Sequence, residues 1–181
     1  MNDLVNDNNN IHKIKLSILM YKQDDPSKCT AAKLIKFKMA NQVKKIPFKD
    51  IILDPFSKTI LTKKDKQNIA GICALDCSWK LAVDTIKGFK RYNNNNRKLP
   101  SLLAGNPINY AKIGMLSTSE ALSAALYILG HKEHSFEIMN KFKWGHTFIE
   151  LNQNILDDYS NTIDQEKIKE IEKEYFPNLN V

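Results

Sequence analysis

The sequence reads as an α/β protein, with a mixed-sheet N-terminal lobe followed by an all-helical C-terminal lobe. Two observations predict this. Short apolar runs of strand length alternate with helix-spaced apolar residues as far as about Lys112, and beyond Leu116 only helical spacing recurs. With 181 residues, 43% of them hydrophobic, the chain can bury a sizeable core without disulfide or metal staples. The expected organisation is a polar, Asn-rich disordered leader over residues 1–10, a basic α/β domain over 11–112 and a helical domain over 113–181.

Between Ile11 and Tyr21, Ile14, Leu16, Ile18 and Met20 alternate with other residues, the period of a strand. Asp24-Asp25-Pro26 turns the chain, and Ser27 or Thr30 can cap a helix reaching about Met39 on Ala31, Leu34, Ile35 and Phe37. Ile51-Ile52-Leu53 is a short buried strand stopped by Asp54-Pro55. Ile69 to Leu75 is another strand, and Ser78 to about Tyr92 is a helix carrying Trp79, Val83, Ile86 and Phe89, with Asp76 at the corner. The Asn93–Asn96 tract is a solvated loop, after which Leu102-Leu103-Ala104 reads as a further buried strand before Gly105 and Pro107. Ser117 and Glu120 have capping-box spacing ahead of Leu122, Ala125, Leu126 and Leu129, and Gly130 closes that helix. Three more helices are expected at about 132–142, 145–158 and 163–175.

The formal charge of +7 is unevenly placed. Up to Lys112 there are 21 Lys and Arg against 9 Asp and Glu; beyond it there are 6 against 11. A polarised chain of this kind suits a polyanion, with nucleic acid as the natural partner; the alternative is that an abundance of lysine merely solvates a surface. Cys29, Cys73 and Cys77 are an odd number in apolar or helix-start contexts, which fits a reducing compartment and a cytoplasmic location. No apolar run approaches membrane-spanning length, so no membrane partner is expected.

There is no nucleophile elbow, no Gly-rich phosphate loop and no paired Cys-x-x-Cys knuckle, so any chemistry must come mainly from a bound cofactor. A metal is not expected: the three cysteines lack a fourth thiol, and His131-x-x-His134 lies among Lys and Glu. Asp76 between strand and helix can be an N-cap, and Trp79 can be a core residue. Together, however, a carboxylate and an indole on one turn suit a ligand with a cationic centre. Pro100, Asn106, Pro107 and Gly114 punctuate a connection that is either a rigid linker or an irregular backbone beside a strand end, where an adenine edge finds free N–H and C=O groups. His146 receives no role.

The motifs bring a family into view. Asp24 to Thr30, ending in Lys28-Cys29-Thr30, is followed in order by Leu53-Asp54-Pro55, Asp76-Cys77-Ser78-Trp79, Leu99-Pro100 and Asn106-Pro107-Ile108-Asn109-Tyr110. Leu116-Ser117-Thr118 with Glu120-Ala121-Leu122, then Lys141 to Phe148, complete the series. In these blocks, spread from about Ile14 to Tyr159, the chain resembles the ribosomal RNA aminocarboxypropyltransferases, ribosome-biogenesis enzymes of archaea and eukaryotes. The resemblance implies a fold similar to the SPOUT RNA methyltransferases, with a trefoil-knotted chain at the cofactor site, and S-adenosylmethionine as cofactor. It implies transfer of the 3-amino-3-carboxypropyl arm to a ring nitrogen of a hypermodified pseudouridine in small-subunit ribosomal RNA, with methylthioadenosine released. The partner would be that RNA or a pre-ribosomal particle, and the protein would be monomeric.

Carried over motif by motif, Leu53, Pro55, Trp79 and Leu116 would surround the adenine, with backbone groups of Leu99 and Gly114 reading its edge. Leu75 would offer its carbonyl to the ribose; Lys28, Thr30 and Thr118 would lie near the ribose and amino acid arm; Trp79 and Ala82 would enclose the S-methyl group. Gly114 stands where the family often has a larger residue, which a backbone contact can survive. The N-terminal block is also related to one found beside iron–sulfur sites in other proteins, yet it retains just Cys29, which argues against a cluster. Asp76 is the carboxylate placed to act as a general base, or to fix the cofactor. Lys33, Lys36, Lys44, Lys45, Lys63, Lys64, Lys66, Lys90, Arg91, Arg97 and Lys98 are the candidate contacts to RNA phosphates. Two rivals stand beside this reading: a SPOUT-type RNA methyltransferase and a non-catalytic RNA-binding assembly factor.

Overall fold

The computed structural model describes residues 13–23, 25, 28–87 and 95–178. The leader, Asp24, Pro26 and Ser27, the segment 88–94 with the candidates Lys90 and Arg91, and the last three residues lie outside the described residues.

Five strands form one sheet in the order β2-β1-β4-β3-β5: β1 (Lys15–Met20), β2 (Asn41–Gln42), β3 (Asp50–Leu53), β4 (Gly71–Asp76) and β5 (Asn96–Arg97). All four pairings are parallel, so the expectation of a mixed sheet is corrected. The crossovers between paired strands return the chain to the same edge, the arrangement that parallel pairing requires. β4 is central, with Ile72 opposite both Leu16 and Ile51, and these three side chains are buried. Burial on both faces explains why β3 after Asp50 and the first part of β4 are unbroken apolar runs.

Leu102-Leu103-Ala104 does not join the sheet. Leu103 makes a single antiparallel bridge to Ile113, and its N–H and C=O are both taken by the side chain of Asn152, each at 2.8 Å. Ala104 and Leu102 bond to Lys112, Ala111 and Gly114. The segment is buried, as an apolar run should be, but local backbone and one distant amide satisfy its polar groups, so it needs no ladder.

Helix α1 (Thr30–Lys36) starts between the two expected caps and stops sooner than expected. Its cap is Cys29, whose sulfur accepts from the Ala32 N–H at 3.4 Å, not Ser27 or Thr30. Lys38 adopts a left-handed φ of 57°, and the N–H groups of Lys38 and Met39 turn back to Ile35 and Leu34, which ends the helix. α2 (Ala82–Lys87) begins six residues beyond Asp76, with a turn from Ser78 to Leu81 between them, so Asp76 is not its cap.

α3 (Thr118–Ile128), α4 (Lys132–Met139), α5 (Gly145–Ser160) and α6 (Gln165–Tyr175) follow the expected order. The Ser117–Glu120 capping box opens α3, and Gly130, at φ 85°, follows its C-terminus. α3 carries an almost uninterrupted run of buried residues because it is enclosed by β4, α1, α4 and α5. A continuous apolar core runs from Leu16 and Ile72 through Leu122 and Leu126 to Phe148 and Ile171. Among the described residues, no helix is long and apolar enough to cross a membrane.

Candidate active-site cleft

In a parallel sheet every strand ends on the same edge, and there the chain must break into loops that are free to hold a ligand. The segments after β1, β3, β4 and β5 meet the segment leading into α3 at this edge. They enclose two adjoining chambers.

The inner chamber has a volume of about 260 Å³. Leu53 and Pro55 line it from the end of β3, Leu75 from β4, Leu99 and Pro100 from the segment after β5, and Gly114 and Leu116 from the approach to α3. Trp79, Ala82 and Ile86 add an apolar wall. The position of Pro55 follows from Asp54, whose carboxylate accepts from the Phe56 N–H at 2.9 Å and the Asn96 side chain at 3.0 Å, turning the chain sharply out of β3.

The outer chamber is larger, about 490 Å³, and more polar. Lys28, Cys29, Thr30 and Lys33 line one side, Asp76 and Lys80 a second, and Asn106 to Asn109 with Trp144 a third. Cys77, Trp79, Leu116, Ser117 and Thr118 belong to both chambers. The indole N–H of Trp79 donates to the Leu116 carbonyl at 3.1 Å, fastening the ring between them while leaving 38% of the residue exposed.

All twelve residues assigned to the cofactor from the motifs line one chamber or the other. Leu53, Pro55, Leu75, Ala82, Leu99 and Gly114 line the inner chamber alone, Lys28, Thr30 and Asp76 the outer alone, and Trp79, Leu116 and Thr118 both. Asp76 accepts from Thr118 Oγ1 at 2.7 Å on one oxygen and from the Cys29 thiol at 3.4 Å on the other. Burial, and then the neighbouring Asp76 charge, push the Cys29 thiol up, so it stays a protonated donor. Thr30 Oγ1 accepts from the Ser119 N–H at 3.3 Å, drawing the start of α1 against the start of α3. The carboxylate is thus held from two sides before any ligand arrives.

Two further carboxylates bear on the cleft, Glu120 from behind its wall and Glu172 from the wall itself. Glu120 is fully buried and accepts four hydrogen bonds, from the N–H groups of Gly105, Asn106 and Ser117 and from the Asn106 side chain, all between 2.7 and 2.9 Å. It was legible only as a capping residue, although Asn106-Pro107 upstream supplies the loop it holds. Glu172 on α6 also lines the inner chamber, 2% exposed. A signal existed: Glu172 lies four residues after Ile168 and one after Ile171, on the buried stripe of an otherwise charged helix.

The candidate phosphate contacts divide. Lys36, Lys44, Lys45, Lys63, Lys64 and Lys66 are exposed. Lys33 lines the outer chamber and Lys98 the inner. Arg97 is instead engaged within the protein, bonded to Asp65 at 2.9 Å with only 18% of its side chain exposed.

Comparison with known proteins gives the family. A family model described as "Ribosome biogenesis protein, C-terminal" matches residues 51–176. The chain belongs to that family. Curated members include the 16S rRNA aminocarboxypropyltransferases of Methanococcoides burtonii, 41% identical over 88% of this chain and 94% of its own, and of Saccharolobus islandicus, 44% identical over 89% and 95%. Within the family, the solved structure of the SAM-dependent rRNA:acp-transferase Tsr3 from Vulcanisaeta distributa is 37% identical, with a TM-score of 0.75 over 88% of this chain and 96% of that one.

A second model, "Possible Fer4-like domain in RNase L inhibitor", matches residues 14–45. That segment holds one cysteine, Cys29, whose thiol is committed to Asp76 and the α1 cap. Among the described residues no group of three or more His, Cys, Asp or Glu could hold a metal, so a cluster held by several thiolates does not fit.

Proposed function

We propose that this protein transfers the 3-amino-3-carboxypropyl group of S-adenosylmethionine to a ring nitrogen of a hypermodified pseudouridine in small-subunit ribosomal RNA, with methylthioadenosine as the second product. The observation that carries the reading is the partition of the cleft. An apolar chamber adjoins, past Trp79, a more polar one whose wall bears the Asp76 carboxylate held by Thr118 and Cys29.

The residues present suit the cofactor. Leu53, Pro55, Trp79 and Leu116 offer apolar surface to an adenine; Leu99 and Gly114 offer backbone groups to its edge; Leu75 serves the ribose. Lys28 and Thr30 suit an amino acid carboxylate, with Thr118 beside them donating to Asp76, and Trp79 with Ala82 suits the S-methyl group. When bound, S-adenosylmethionine supplies a sulfonium whose attached carbons are electrophilic. Burying the methyl while leaving the longer arm toward the outer chamber aligns that arm with the acceptor, so orientation selects the group transferred.

Asp76 accepts the proton lost by the acceptor nitrogen, its carboxylate aimed by Thr118 and Cys29. The basic portion, residues 11–112, holds the RNA through exposed lysines, and the helical portion, 113–181, completes the cleft. The family resemblance extends the proposal to a SPOUT-like knotted path, a monomer and a pre-ribosomal particle as the physiological partner, and the three free cysteines support a cytoplasmic location.

The test uses S-adenosylmethionine labelled separately in its methyl group and in its aminocarboxypropyl arm, with ribosomal RNA from cells lacking this protein. Label in the RNA from the arm alone is expected. Label from the methyl alone would make the protein a methyltransferase. Absence of both labels, with no calorimetric binding of S-adenosylmethionine, would leave a non-catalytic assembly factor.

A further inference from the structure

Glu172 is a charged residue in an unusual position. It projects from α6 to the wall of the inner chamber beside Leu99, Pro100 and Ser101, and it is 2% exposed. Oε1 accepts from the Ser101 N–H at 2.6 Å. Oε2 is buried at the chamber wall and has no hydrogen-bond partner among the described residues.

The surroundings do not remedy this. Tyr159 is fully buried and directs its hydroxyl to the Ser101 carbonyl, 3.1 Å away. Burial, reinforced by the Glu172 charge, pushes that hydroxyl far above the ordinary tyrosine range, so it remains a donor. Ser101 is therefore clamped through both of its backbone groups, its N–H by Glu172 and its C=O by Tyr159. Lys98 lines the same chamber without forming an ion pair to Glu172 among the described residues. A buried acceptor left unpaired at a cavity wall is costly, and such groups call for a partner from outside the protein.

We propose that Glu172 accepts a hydrogen bond from the exocyclic amino group of the adenine and so makes the inner chamber specific for a 6-amino purine over a 6-oxo purine. The inference rests on the reading that this chamber takes the adenosyl end of S-adenosylmethionine. The rest of the chamber is apolar enough to take the faces of a purine, while Glu172 holds Ser101, close along the chain to Leu99, the backbone assigned to the purine edge. An exocyclic amino group carries two N–H bonds, so a carboxylate can serve one even where a backbone carbonyl serves the other. A 6-oxo group would set acceptor against acceptor and leave the buried oxygen unpaired, the situation in which polar sites discriminate strongly.

The experiment is calorimetric binding of S-adenosylmethionine and of its deaminated 6-oxo counterpart to the full chain and to Glu172→Gln. The wild type should prefer the amino form by roughly 100-fold or more. In Glu172→Gln the amide carbonyl keeps the Ser101 N–H, while the amide NH2 replaces Oε2 and opposes the ligand amino group. The preference should then fall below about tenfold or invert, a change that general loosening of the chamber would not produce. Equal weakening of both ligands, or no change in either, overturns the inference.

A second measurement needs no variant. The counterpart with hydrogen in place of the 6-amino group should bind the wild type about tenfold or more weaker, and equal affinity would also overturn the assignment. If the wild type binds S-adenosylmethionine but fails these comparisons, the role of Glu172 falls alone. If it binds none of the ligands, the reading of the chamber falls with it.

Discussion

Thr118 Oγ1 donates to Oδ1 of Asp76 at 2.7 Å, tying the end of the central strand to the first turn of α3 across the cleft. With Cys29 Sγ on the other oxygen, the carboxylate has one defined orientation and still keeps lone pairs for a substrate proton.

Asp76→Asn preserves shape and the acceptor for Thr118 but removes the base. Single-turnover transfer to RNA should slow by roughly 100- to 10,000-fold, with the calorimetric affinity for S-adenosylmethionine changed by less than about threefold. Unchanged turnover with a weakened cofactor would reassign Asp76 to holding the ligand.

Glu120 carries a different burden. Its carboxylate gathers the N–H groups of Gly105, Asn106 and Ser117 and the Asn106 amide, so it fixes both the loop that walls the outer chamber and the start of α3. Glu120→Ala leaves several buried donors unpaired and should cost about 3 kcal/mol or more in urea unfolding. Glu120→Gln, whose one carbonyl oxygen keeps two of these bonds while its NH2 faces the other two donors, should lose less than Glu120→Ala but still more than about 1 kcal/mol.

The split between what the sequence reveals and what it hides has a physical basis. β3, the body of β4, the Ser117–Glu120 cap and the Gly130 stop depend on residues close in the chain, and each was visible as spacing. The fate of Leu102–Ala104 depends on Asn152, 49 positions away, whose amide takes the place of a neighbouring strand. The end of α1 depends on a lysine at positive φ, a conformation that lysine does not advertise. At the site, Asp76 and Trp79 were legible because a strand running into a polar turn exposes its end. Glu172 was hidden inside a run of charges that resembles a solvated helix face.

Gly105 shows how closely the helical part approaches the loop. A Cβ there would lie 2.6 Å from both the Cα and the N of Phe148 in α5, a backbone that cannot swing aside as a side chain could. Gly105→Ala should force α5 and the 105–106 turn apart, costing at least about 2 kcal/mol by urea unfolding and weakening the Glu120 hydrogen bonds. Gly114→Ala is the contrast in space: nothing lies within 4 Å of the added carbon, so its cost comes from the positive φ of 72° alone, about 1 kcal/mol.

The basic residues should separate into two classes by salt dependence. Lys44 and Lys45 are exposed, and side chains of this kind release counterions when they pair with phosphates. Replacing both with Ala should weaken binding to ribosomal RNA and lower the slope of log affinity against log salt by roughly 0.7 to 0.9 for each phosphate no longer neutralised, with unfolding unchanged. Arg97 should behave in the opposite way. Its guanidinium bonds Asp65 at 2.9 Å, and Asp65 in turn accepts from the Thr62 N–H at 3.0 Å, so Arg97 ties β5 to the turn at Thr62. Arg97→Ala should cost about 2 kcal/mol of stability by leaving a largely buried carboxylate with one partner fewer, while the salt slope of the folded protein stays as it was. A reduced slope for Arg97→Ala with stability intact would show that the guanidinium leaves Asp65 for a phosphate when RNA binds.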